Sequence, residues 1–135
     1  MADPAIVAGL LLARCDTLNV GTPKMPVAMP DVAFTPPADG RYLRVDLFSN
    51  APFWEGLTSG RVDQGLLQVT VVWPKGKGII VQRRAAKQVM DHFFKGLKLF
   101  GPATRVSINR EPWAASPLPG DVSTETPVTI SWTAV

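Results

Sequence analysis

The sequence predicts an α+β fold: a mixed or mostly antiparallel β-sheet of about four to five strands, with two helices packed on one face and a long hairpin loop. Two segments repeat apolar residues at three- and four-residue steps, the spacing of a helix with one dry side. Four others alternate apolar and polar residues, as half-buried strands do. The order is helix, proline-rich arm, strand, strand, helix, strand, strand, and 135 residues suit one domain spanning 1–135.

The first helix starts at Asp3-Pro4, an N-cap followed by a proline in the first turn, where no N–H is missed. Ile6, Val7, Leu10, Leu11, Arg14 and Leu18 follow at helical spacing, and Cys15 sits among them as a small buried hydrophobe. Asn19 and Gly21 should end the helix, with Pro23 and Pro26 barring its continuation. Residues 21–40 also carry Pro30, Pro36 and Pro37, too many lost donors for a central strand. An extended arm that crosses the surface or reaches a neighbour is expected, closed by a turn at Asp39-Gly40.

Residues 41–48 alternate, with Leu43, Val45 and Leu47 opposite Arg44 and Asp46. Residues 65–73 repeat the pattern, with Leu67, Val69, Val71 and Trp73 opposite Gln68 and Thr70. Between them, 49–64 reads as a protruding loop holding Phe53, Trp54, Gly56 and Gly60, and loops of this length are usually functional. Pro74 closes the strand, and Lys75-Gly76-Lys77-Gly78 forms a bend. The second helix begins near Ile79. Val81 or Ala85, then Ala86, Val89, Met90, Phe93 and Phe94, mark its dry side, and Arg83, Arg84, Lys87 and Asp91 its wet side. Lys95-Gly96 suits its end. Strands at 104–111 (Val106, Ile108) and 127–134 (Val128, Ile130, Trp132) follow, separated by a surface loop at 112–126.

Composition narrows the function classes. With 46% hydrophobic and 19% charged residues, the chain has a core and is not disordered. The net charge of +3, from 14 basic and 11 acidic residues, is read as a solubility property. Arg83, Arg84 and Lys87 on one helix face are the grouping that would serve a nucleic-acid-binding module, and no specific nucleic acid is expected. A single cysteine excludes an intrachain disulfide. Asp3 precedes the apolar run where a signal peptide would carry basic residues, and no apolar stretch approaches the ~20 residues of a membrane helix. A soluble protein without membrane contact is expected.

Catalytic and metal-binding patterns are thin. His92 is the only histidine, so a zinc centre would rest on carboxylates, and no metal or cofactor is expected. No G-x-S-x-G elbow is present, and Cys15 lies within an apolar helix, away from any base. Asp46 with Glu55 or Asp63 reads as ordinary surface charge. The Lys75–Gly78 bend precedes a helix but lacks the phosphate-loop pattern. The expectation is a protein that is not an enzyme. What the sequence offers instead is aromatic material in its loops: Phe53, Trp54 and Trp113 either serve as interface anchors or fold back to cap their own core.

The segments VAMPDVAFTPPADGRYLRVDLF and GRVDQGLLQVTVVWPKGKG, the helix end DHFFKG and the last strand PVTISW together resemble the tail terminator family of long-tailed phages, nearly end to end and in the same order. The resemblance implies a virion structural protein at the head-proximal end of the tail, assembled in the host cytoplasm. It implies a homohexameric ring that caps the tail tube, ends its polymerisation and offers the other face to the head–tail connector. The partners would be other copies of the chain, the tail tube protein and the connector. On this reading Phe53 and Trp54 are anchors and Lys75 and Lys77 charged surface contacts. Another neck or tail-tube ring protein of the same virion is the neighbouring alternative.

Overall fold

A computed structural model describes residues 3–21, 24–54 and 60–135. Pro23, Glu55 and Gly56, named above, lie outside the described residues. Helix α1 (Pro4–Asp16) is capped as expected, the Asp3 carboxylate accepting from the Ala5 N–H at 2.8 Å. It ends earlier than Asn19: Thr17 closes it, its hydroxyl donating to the Arg14 carbonyl at 2.7 Å. Leu18 is buried beyond the helix, in the chain that leaves it.

The sheet corrects the expectation of four to five strands. Among the described residues it has eight: β1 (Val27–Ala28), β2 (Tyr42–Trp54), β3 (Arg61–Pro74), β4 (Lys98–Gly101), β5 (Thr104–Ile108), β6 (Trp113–Ala114), β7 (Leu118–Pro119) and β8 (Ser123–Ala134). The spatial order is β1-β2-β3-β8-β5-β4, with β6 and β7 also paired to β8. Among the described strands only the β1–β2 pair is parallel. Helix α2 (Ile80–His92) links β3 to β4.

The expected loop at 49–64 is mostly strand. The β2–β3 ladder runs on past Phe48 to pair Phe53 with Val62 and Trp54 with Arg61, interrupted by one register shift between Asn50 and Phe53. Pro52 sits in that shift, where its missing N–H breaks no regular pairing. The loop expected at 112–126 likewise holds β6, β7 and the start of β8. The proline-rich arm crosses its own surface. It contributes β1, buries Met25, and brings Phe34 to 5.1 Å from Tyr42 on the sheet face away from the helices.

Register shows why both helices lie on one face. Val45, Val69 and Val128 are in line across three strands, as are Leu47, Leu67 and Ile130, and all but half-buried Leu47 are fully buried. Val7, Leu11 and Cys15 of α1 and Ala85, Ala86 and Val89 of α2 complete this core. Helix α2 ends at His92, and Phe93, just past it, is the largest fully buried side chain. Of the alternatives Val81 or Ala85, Ala85 is the buried one and Val81 is exposed, while Phe94, also expected on the dry side, is exposed. Gln82 takes the buried place. Its amide donates to the Gly78 carbonyl at 2.8 Å and accepts from the Thr126 hydroxyl at 3.3 Å, which makes its burial tolerable.

Candidate assembly surfaces

Two groups of exposed apolar residues lie at the two ends of the β2–β3 hairpin, roughly 40 Å apart at ~3.3 Å per residue. At the end where β2 leads on into β3 stand Phe53 and Trp54, the latter 66% exposed. The face beside them is polar: Lys98, Arg105, Asn109 and Thr133 line a cleft of about 280 Å³ with Phe53 and Val62.

The other end is the bend that sends β3 into α2. Lys75 and Lys77 are exposed there, and Gly76 and Gly78 take positive φ angles of 84° and 80° that side chains disfavour. The Lys75 N–H donates to the Val122 carbonyl at 3.3 Å, which brings the turn before β8 alongside. Ile79, Ile80, Leu118 and Val122 are exposed at this end, Val122 by 84%. None of these four is among the anchors expected from the sequence. The run Ile79-Ile80-Val81 was the available signal, since one face of a helix cannot bury three consecutive residues.

Trp113 belongs to neither end. It pairs with Thr129 on β6 and is exposed on the sheet face away from the helices, where Arg44 bridges Asp46 and Glu125. The five residues named from the sequence therefore occupy three separate places.

The titratable groups do not converge. Burial, then Asp16, pushes the Cys15 thiol up from 9.0 to about 12, leaving it protonated. His92 is held below its ordinary value, chiefly by burial. Its Nε2 lies 2.8 Å from the Thr17 hydroxyl and 3.1 Å from the Arg14 carbonyl, so it ties two helix ends together. Among the described residues no three His, Cys, Asp or Glu side chains are grouped to hold a metal, and no helix is long and apolar enough to cross a membrane. In the Arg83, Arg84 and Lys87 group, Lys87 is paired to Asp91 at 2.9 Å.

A family model described as "Phage tail terminator protein" matches residues 6–132. One solved protein structure is similar over 100% of this chain and 97% of its own, at 25% identity and a TM-score of 0.82. No curated protein matches in sequence.

Proposed function

The chain belongs to the phage tail terminator family and is a structural component of the phage tail, and from that premise we propose that it caps the tail tube as a ring of six copies. One ring face seats on the last tube layer and ends polymerisation; the other receives the head–tail connector. The observation that supports this reading is the pair of apolar ends on one long hairpin. A terminator needs two different axial surfaces, and a subunit standing with β2 and β3 along the ring axis presents one at each end. Phe53 and Trp54 anchor one contact; Ile80, Leu118 and Val122 anchor the other, rimmed by Lys75 and Lys77. Capping follows from the difference between the two ends: the face matched to the tube is used once, and the outer face offers no second copy of the tube's own joint.

The function requires no chemical step, and the family is one of structural proteins. Tail tubes incubated with purified protein and imaged by electron microscopy test the reading directly. A ring at one end of each tube, with elongation stopped on adding free tube subunits, is the expected result. Tubes that stay bare and keep growing would exclude it.

A further inference from the structure

The sheet has two open edges, and they match. Strand β1 covers β2 only at Leu43 and Arg44; from Val45 onward the described part of β2 pairs with β3 alone. At the far side β4 pairs, among the described residues, only with β5. The alternation of antiparallel pairs from β2 through β3, β8 and β5 to β4 leaves β2 and β4 pointing the same way. Exposed apolar edges invite pairing with another chain unless they are guarded. On β2, Pro52 and the register shift close the usable edge at Asn50, so the open stretch is 45–50. Strand β4 is held firm from below, because Gly101 lets Ile6 and Leu10 of α1 approach so closely that a Cβ there would lie 3.0 Å and 3.2 Å from them.

We propose that neighbouring copies join head to tail through these edges, β4 of one copy adding in parallel to the 45–50 stretch of β2 in the next, so that one sheet continues around the ring. This rests on the ring reading above and names its joint. The chemistry of the two edges agrees in register. With Lys98 opposite Asp46, Leu99 falls opposite Leu47 and Phe100 opposite Phe48. Lys98 and Phe100 lie on the face away from the helices, as do Asp46 and Phe48; Leu99 and Leu47 lie on the helix face, half-buried against the core. The joint thus places a cation beside a carboxylate and an aromatic beside an aromatic on one side, and closes leucine on leucine on the other. Among the described residues Lys98 has no ion-pair partner of its own, and Phe48 and Phe100 are 50% and 71% exposed. A two-fold joint through β2 alone would run antiparallel, leave β4 unpaired and stop at two copies. The parallel joint keeps strand direction and sheet face from copy to copy, which is what a closed ring requires.

The test uses the full chain with Asp46→Cys and Lys98→Cys together, a short bis-maleimide, and denaturing gels, run on the free protein and on protein bound to tail tubes. Buried Cys15 provides the unsubstituted background. A covalent ladder reaching the ring size is expected from the double variant, with no ladder from either single variant. Charge reversal supplies a second reading: Lys98→Glu should weaken association several-fold, and adding Asp46→Lys should restore it. An assembly of ring mass that gives no ladder overturns this joint and leaves the ring standing. A covalent dimer from Asp46→Cys alone overturns it in favour of a two-fold contact. Monomers both in solution and with tubes overturn the joint and the ring together.

Discussion

Gly65 shows how one missing side chain can shape a core. It sits mid-strand between Ser49 and Trp132, and the Trp132 indole lies across it. A Cβ added there would be 2.1 Å from the Phe48 carbonyl oxygen and 2.6 Å from the indole Cζ2. Neither can yield easily, since one is backbone and the other a buried ring. Gly65→Ala should therefore cost about 1–3 kcal/mol or more, as overpacking does, and lower the melting temperature by about 3–10 °C. Calorimetry of the two proteins checks this. Cys15 makes a second residue-scale case. Its thiol stays protonated in the fold up to about 12, while in the unfolded chain it ionises near 9.0. Above that lower value the unfolded state holds fewer protons, so stability should fall with rising pH, at up to about 1.4 kcal/mol per unit. Cys15→Ala should flatten the decline between pH 9 and 11 in a urea titration. Neither effect was legible in the sequence beyond the type of residue: an apolar helical setting suggested a buried cysteine, but nothing in the letters around Gly65 showed the indole pressed upon it.

At the scale of elements, the helices were legible because their periodicity and caps are local properties. Their ends were less so. Helix α2 was expected to run to Lys95-Gly96, yet it stops at His92 because Phe93 turns into the core and the Gly96 N–H donates to the Ile108 carbonyl at 2.7 Å. The strand portion of 49–64 was illegible for a related reason. Ser49, Asn50, Ala51 and Pro52 have poor strand propensity, and they extend because β3 continues beside them. Tertiary pairing overrode the local preference. The same holds for β4, β6 and β7, whose two to four residues carry no period at all. The contact between the two helices adds a pH dependence. Arg14 donates to the His92 carbonyl at 2.8 Å while the His92 ring meets the Arg14 carbonyl and Thr17. With its folded value depressed, His92 is protonated in the unfolded chain first as pH falls below about 6.5. The unfolded state then binds more protons, so the His92 contribution is complete above 6.5 and is lost as pH drops through the folded value. His92→Gln should remove that part of the stability loss between pH 7 and 5, read as the shift in urea midpoint against the parent protein.

For the whole molecule, the aromatic candidates were legible as exposed residues, but their grouping was not. Phe53 and Trp54 could be named from the sequence, whereas the opposite apolar end is assembled from three separated segments, at Ile80, Leu118 and Val122. The bend at Lys75 with its bond to Val122, and the pairing of β7 with β8, bring them to one end. If the two ends serve two different axial contacts, they should fail independently. Phe53→Ser with Trp54→Ser removes the anchors where β2 passes into β3; Leu118→Ser with Val122→Ser removes those at the bend after β3. All four side chains are exposed, so both variants should melt within a few degrees of the parent and keep its native mass by light scattering. Each should lose one partner, measured as binding to tube ends in one assay and to heads carrying the connector in another. Loss of one activity from each variant would set the subunit upright in the ring, with its long hairpin along the axis. Loss of both from a single variant, with the other unaffected, would mean that one end carries all the contacts. The axial arrangement would then have to be abandoned, even if the ring itself were seen.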